Sequence, residues 1–112
     1  MKPVEFSQAA VADQDSITAY TVEHFGIEQA RRLRANFERA LDALAANPNI
    51  GRTRKDLDPE GRSFRYFVVM KLFIVVYQPT ADSIQIVRIL HGMRNLAAEI
   101  ERDAGSIRNE TG

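Results

Sequence analysis

The segment with the clearest potential for chemistry runs from Arg88 to Arg94 and reads Arg-Ile-Leu-His-Gly-Met-Arg. Histidine can act as a general acid or base, and arginine can stabilise negative charge that develops on a phosphate. His91 with Arg65, Arg88 and Arg94 could in principle cleave RNA. The alternative, which one histidine among scattered arginines favours, is that Arg88 forms a structural ion pair and His91 is a strand-end residue bonded to the backbone.

The position of Arg88 within an apolar run is unusual for a core strand. Strict alternation predicts that Arg88 and His91 lie on opposite faces of the sheet. Their predicted neighbours are Ile84, Ile86 and Leu90 for Arg88, and Gln85, Val87 and Ile89 for His91. An arginine between isoleucines is expected to pair with a carboxylate, to extend to the sheet edge, or to serve a site.

Other common chemistries have no signal in the sequence. The chain has no cysteine and only two histidines, which predicts neither a disulfide nor a metal site. The glycine-rich nucleotide loops, the hydrolase nucleophile motif and the zinc-protease motif are also absent. We therefore expect no cofactor.

The charge pattern is uneven although the net charge is zero, with 15 basic and 15 acidic residues. The zero balance removes the bulk argument for a nucleic-acid binder. Residues 31–71, however, contain ten bases and five acids, and twelve of the fifteen bases in the chain are arginine. A positive middle third suits an acidic partner or a polyanion, and the alternative is a solvated, salt-bridged surface.

The first half of the chain predicts a short strand and two helices. Residues 3–6 form a brief extended opening, and Ser7 is a typical N-cap for a helix from Gln8 to about His24, which Gly26 ends. Apolar residues at three- and four-residue steps predict a second helix that ends at Asn47-Pro48. Its apolar positions are Ile27, Ala30, Leu33, Phe37, Leu41 and Leu44. The short connection predicts an antiparallel helical hairpin.

The second half predicts an antiparallel meander after a basic loop at residues 48–63. Three runs have strand composition, namely Phe64–Val69, Leu72–Gln78 and Ser83–Leu90. The middle run is apolar at every position from 72 to 77, which indicates a central strand covered on both faces. The hairpin can cover one face. A short C-terminal helix with Met93, Leu96 and Ile100 on one side is a candidate for the other.

These elements predict an α+β fold in the order β-α-α-β-β-β with a short C-terminal helix and three to four strands. The length predicts a single domain over residues 1–105, and residues 106–112 are expected to fray. The N-terminus lacks the apolar run of a signal peptide. The longest apolar stretch, eleven residues, falls short of the ~20 that a membrane helix needs. We expect a soluble, cytoplasmic protein.

The order of elements and several local strings resemble ParE-type toxins of the RelE/ParE superfamily, the toxic halves of bacterial type II toxin–antitoxin pairs. The resemblance covers about residues 5–96. The strongest strings are Ile-Val-Val-Tyr at 74–77 and Ile-Val-Arg-Ile-Leu-His-Gly-Met-Arg at 86–94. Weaker matches are Ala12, Asp13, Ile17, Tyr20, Leu41, Leu44, Pro48, Ile50, Gly51, Arg52, Leu57, Gly61, Arg62 and Ser63.

The resemblance implies a toxin that acts by binding rather than by catalysis, with DNA gyrase as its target. It also implies neutralisation by a ParD-like antitoxin in a hetero-oligomer, without specific DNA binding by this chain and without a membrane partner. The expected antitoxin contacts are Arg52, Arg54, Arg62 and Arg65. The expected target contacts are Arg88, His91 and Arg94.

A RelE-type relative would instead be a ribosome-dependent ribonuclease that cuts mRNA. That branch typically has a Tyr or Phe near the C-terminus, whereas no aromatic residue follows His91 here. The string from His91 to Arg94 resembles the ParE branch, with the departure that Asn95 stands where that branch often has Asp. A superfamily member without toxicity, or with another target, is the third possibility.

Overall fold

A computed structural model describes residues 1–92 of the chain, and the described residues form two helices and five strands. These are β1 (Val4–Phe6), α1 (Gln8–Phe25), α2 (Ile27–Ala46), β2 (Arg52–Thr53), β3 (Arg65–Val69), β4 (Phe73–Pro79) and β5 (Ile84–His91). The α+β class is confirmed, and the predicted order β-α-α-β-β-β holds except for one added strand, β2, so that the sheet has five strands rather than three to four. The predicted C-terminal helix, Arg94, the domain end at 105 and the tail at 106–112 lie outside the described residues.

The helical hairpin begins and turns where the sequence predicts. Ser7 caps α1 by accepting a hydrogen bond from the Ala10 amide at 3.0 Å, and its hydroxyl donates to the Val87 carbonyl at 2.7 Å. The cap therefore also ties α1 to β5. Gly26 alone joins the two helices, with a φ of +88° that glycine adopts without steric cost. The buried side of α2 includes Leu33, Phe37 and Leu44.

The sheet has the order β1-β5-β4-β3-β2, with β1 parallel to β5 and the other pairs antiparallel. The strand β4 is central, as its apolar run predicts. One correction concerns the basic segment at residues 48–63, for which the sequence predicts a loop throughout. Arg52 and Thr53 pair with Tyr66 and Arg65 and add a short fifth strand at the edge.

The two faces of the sheet are covered by different parts of the chain. The helices pack on one face, where Phe37 contacts Phe73 with ring centroids 5.1 Å apart. On the other face, Leu57 and the buried Phe64 pack against β4 and β5. The segment between β2 and β3 thus supplies a cover for the second face.

A β-bulge in β5 changes the predicted neighbours of Arg88 and His91. Val76 pairs with Arg88 while Tyr77 pairs with Ile86, so that Val87 is an extra residue on β5. A bulge shifts the alternation by one position. Ile84 and Ile86 therefore share the helix-side core with Ile89, while Val87 and Leu90 lie on the other side, so the predicted neighbours are wrong. Beyond the bulge, Arg88 pairs with Val76 and His91 with Phe73, a register that keeps the two on opposite faces as predicted. The Arg88 guanidinium nevertheless reaches Asp13 of α1.

Candidate functional site

A cavity of about 900 Å³ opens between the helical hairpin and the end of the sheet. Its apolar wall includes Leu33 and Ile89, and its lining also includes Asp13, Arg88 and His91. Large apolar side chains form its rim. Two of them, Tyr20 and Phe25, lie in the last turns of α1. The other two, Met70 and Leu72, lie in and beside the turn between β3 and β4. This arrangement is typical of a binding site, in which a few polar groups sit among apolar walls.

Arg88 is held by a bidentate ion pair with Asp13 of α1. The Nε–Oδ2 and Nη2–Oδ1 distances are 2.6 and 2.9 Å, and both side chains are only 16% exposed. The Ile89 amide also donates to Asp13 Oδ2 at 2.9 Å. The expectation that Arg88 pairs with a carboxylate is confirmed. Because Asp13 binds both the side chain and the backbone just after the bulge, it fixes this part of β5 against α1.

His91 lies in an aromatic cluster at the mouth of the cavity. Its ring stacks on Phe73 with centroids 5.0 Å apart and lies 6.5 Å from the ring of Tyr20. Tyr20 in turn stacks on His24 at 4.1 Å. The imidazole of His91 is exposed at the strand end, so it is available to a partner that docks over the cavity.

Arg65 lies at the other end of the sheet from His91. Arg65 pairs with Tyr77 and His91 pairs with Phe73, which places them about 13 Å apart along β4 at ~3.4 Å per residue. The Arg65 guanidinium donates to the carbonyls of Gly51 at 2.7 Å and Asn49 at 3.2 Å. The structure therefore brings Arg88 and His91 together but does not bring Arg65 to them.

The remaining predicted arginines lie around the β2 edge. Arg52 is exposed, and the guanidinium carbon of Arg62 lies 5.4 Å from the ring centre of Phe64. Arg54 donates twice to Asp56, at 3.0 and 2.8 Å. This hydrogen-bonded pair raises the pKa of Arg54 and lowers the pKa of Asp56. Arg52, Arg54 and Arg62 thus lie in β2 and the segment that follows it, with Arg54 engaged by Asp56, and we call these three arginines the basic surface.

Two buried tyrosines organise the segment that carries this surface, through hydroxyl contacts that no sequence pattern indicates. Tyr77 is fully buried, donates to the Pro48 carbonyl and accepts from the Gly51 amide, both at 2.8 Å. Burial raises the pKa of Tyr77. Tyr66 donates to Asp58 at 2.7 Å, and burial together with that hydrogen bond raises the pKa of Tyr66 well above its ordinary value.

Neither a membrane-crossing helix nor a metal-binding cluster occurs in residues 1–92. Neither helix there is long and apolar enough to cross a bilayer. In the same residues, His, Asp and Glu side chains do not form a group of three that could hold a metal ion. The chemistry that the described cavity offers is therefore that of an apolar surface with one ion pair and one exposed imidazole.

The family model described as "ParE toxin of type II toxin-antitoxin system, parDE" matches residues 4–96. The chain belongs to the ParE toxin family. The matched region begins at β1 and includes both Asp13 and Arg88, so the α1–β5 ion pair and the cavity lie within the ParE domain.

Curated relatives agree with this assignment. The chain is 33% identical over 88 residues to toxin ParE3 of Caulobacter vibrioides, an alignment that covers 79% of this chain and 84% of the relative. It is 27% identical over 100 residues to toxin ParE1 of the same organism, covering 89% and 99%. It is 32% identical over 85 residues to toxin ParE1 of Mycobacterium tuberculosis, covering 76% and 84%.

A solved structure shares the fold of this ParE toxin. A chain of the "Chromosomal ParDE TA system from P. aeruginosa" superimposes with a TM-score of 0.67 at 23% identity, covering 83% of this chain and 98% of that one. The family match and the curated relatives confirm the resemblance to ParE-type toxins inferred from the sequence, and the solved structure confirms the fold.

Proposed function

We propose that this ParE toxin arrests growth by binding DNA gyrase and that a ParD-like antitoxin neutralises it. The observation that carries the proposal is the cavity beside Arg88 and His91, with its exposed apolar rim, on a chain of the ParE family. A rim of large apolar side chains around a few polar groups is what a protein-docking surface requires. Both proposed partners act in the cytoplasm, so the proposal places the toxin there.

The placement of the arginines supports binding rather than catalysis. Arg88 is engaged by Asp13, and Arg65 is engaged by backbone carbonyls at a distance from the cavity. A phosphoryl-transfer site needs cations aimed at the position where charge develops. Arg65 and Arg88 instead hold parts of the fold together, and they shape a surface on which a partner can dock.

The second candidate function is a RelE-type ribonuclease, because Arg88 and His91 line the same cavity. His91→Ala separates the two functions, and His24→Ala is a matched control because it removes the other exposed histidine of the same aromatic cluster. We expect His91→Ala to retain growth arrest, with a change in stability of about 1 kcal/mol. Loss of growth arrest together with loss of mRNA cleavage on ribosomes, in a folded His91→Ala protein, would refute the binding proposal.

For the antitoxin we propose a contact with the basic surface of Arg52, Arg54 and Arg62, bounded by Arg65. The support is charge, since the partner that the family implies is expected to bring an acidic segment. Arg52 is exposed on the short edge strand β2, and an exposed arginine can pair with a carboxylate bidentately. Arg65 contributes through the Gly51 loop that it holds, since its guanidinium already donates to two carbonyls.

A further inference from the structure

The turn that joins β3 to β4 adopts a backbone conformation that its residues disfavour. The Leu72 amide donates to the Val69 carbonyl at 3.2 Å, and the two residues between them, Met70 and Lys71, have φ angles of +57° and +59°. In residues 1–92 they are the two non-glycine residues with positive φ. Hairpin turns of this kind favour Asn-Gly, because other side chains are strained there.

The same turn exposes large apolar side chains. We call residues 68–72 the hairpin tip. Within it, Val68 is 53% exposed, Met70 42% and Leu72 53%. Lys71 is also exposed, so the tip presents three apolar groups and one cation to solvent. A turn shaped only for stability would have neither the strained residues nor this exposure, and strained positions of this kind are concentrated at functional sites.

The hairpin tip is continuous with the candidate site. Met70 and Leu72 line the cavity that also contains Arg88 and His91. The Gly92 amide donates to the Leu72 carbonyl at 2.9 Å, which fixes the tip against the end of β5. The basic surface proposed for the antitoxin lies at the other end of β3, about 13 Å away along the strand.

We propose that the hairpin tip is the element through which the toxin docks on its protein target. The partner surface is an apolar depression that receives Met70 and Leu72 and has a carboxylate near it for Lys71. This proposal rests on the proposed function, because it takes the cavity wall with Arg88 and His91 as the target-facing side. The hairpin tip is separate from Arg52, which lies at the other end of β3, and this separation distinguishes the tip from the surface proposed for the antitoxin.

The test is the double variant Met70→Asn/Lys71→Gly, which supplies the residues that the turn geometry favours and removes the docking side chains. We expect its melting temperature to rise by about 5 °C. We expect its potency, measured as growth arrest and as cleaved DNA accumulated by purified gyrase, to fall by about tenfold. Ile50→Asn is the control, because Ile50 is 41% exposed in a loop near β2 and away from the tip. The control should retain full potency.

A second variant, Leu72→Thr, leaves Met70 and Lys71 unchanged and replaces one exposed apolar side chain that lines the cavity. It is expected to lower potency by about threefold at unchanged melting temperature. Full potency of both variants would overturn the proposal, whatever the melting temperature of the double variant. A loss of affinity for the antitoxin with full potency would also overturn it and would assign the tip to the antitoxin.

Failure of the proposed function gives a different result. If the unmodified toxin arrests growth but accumulates no cleaved DNA with gyrase, the gyrase proposal is wrong, and growth arrest by the variants still decides the role of the tip. If the unmodified toxin does not arrest growth, both proposals are wrong.

Discussion

Replacing Asp13 by alanine removes three hydrogen bonds at one point of the fold. Two of them hold the Arg88 guanidinium, at 2.6 and 2.9 Å, and the third satisfies the Ile89 amide at 2.9 Å. The side chains of Asp13 and Arg88 are each 16% exposed, so water replaces the lost carboxylate only in part. The perturbation therefore acts on a largely desolvated ion pair and on the backbone beside the β5 bulge.

The expected cost follows from these contacts. Removing one partner of a buried ion pair costs about 3–5 kcal/mol, and leaving a buried amide without an acceptor costs about 1–3 kcal/mol. The terms overlap, and the residual exposure of the pair lowers the sum, so we expect Asp13→Ala to lose about 3 kcal/mol. Domains of this size have about 5–15 kcal/mol of stability in total. The variant should melt about 10–20 °C lower.

Urea unfolding followed by circular dichroism measures the effect, as a fall in the midpoint of about 2 M. Asp15→Ala is the matched control, since Asp15 is an exposed carboxylate on the same helix, and surface changes stay within about 0.5 kcal/mol. Asp13→Asn retains an acceptor for the Ile89 amide and should fall between the two. A loss below about 1 kcal/mol for Asp13→Ala would refute the reasoning, because Arg88 would then regain water or another partner instead of being left desolvated.

Three further predictions concern the other end of the sheet. Gly51→Ala should destabilise the protein by about 1–3 kcal/mol in urea unfolding, because the added Cβ would lie 2.7 Å from the ring of Tyr77. An unchanged unfolding midpoint would contradict this prediction. The raised pKa values of Tyr66 and Tyr77 keep both side chains neutral in the folded state at a pH where the unfolded chain ionises them. Their contribution to stability is therefore complete below about pH 10 and falls as the pH rises above it. Equal stability at about pH 9 and pH 11 would contradict this prediction. The affinity for the antitoxin, measured by calorimetry, should fall steeply as the salt concentration rises, and the charge reversal Arg52→Glu should weaken binding. Salt-independent binding would show that apolar burial dominates.

The helices and the three long strands could be predicted because their signals are local. The Ser7 cap, the single Gly26 and the three- and four-residue apolar steps of α2 each act within one or two turns. The apolar run of β4 likewise indicates a central strand by itself. The two-residue strand β2 has no such pattern, because its pairing depends on where β3 passes, and Arg52 and Thr53 resemble loop residues.

The candidate site was predicted less completely because it depends on contacts between distant residues. The Arg88 partner is 75 residues away in sequence, and an unpaired carboxylate in α1 gives no indication of which arginine it meets. The bulge at Val87 reverses the facing of the strand beyond it, and alternation alone has no means to locate a bulge. Tyr77 reads as one more apolar residue of β4, although its hydroxyl holds the Gly51 loop.

The most direct test of the central claim is DNA supercoiling by purified gyrase in the presence of the toxin, scored for cleaved DNA as well as for lost activity. The account predicts that cleaved DNA accumulates with added toxin and that the cognate antitoxin reverses the effect. His91→Ala should give the same result at similar concentrations. Unchanged supercoiling with no cleaved DNA, from a folded toxin that arrests growth, would contradict the account and direct attention to the ribosome.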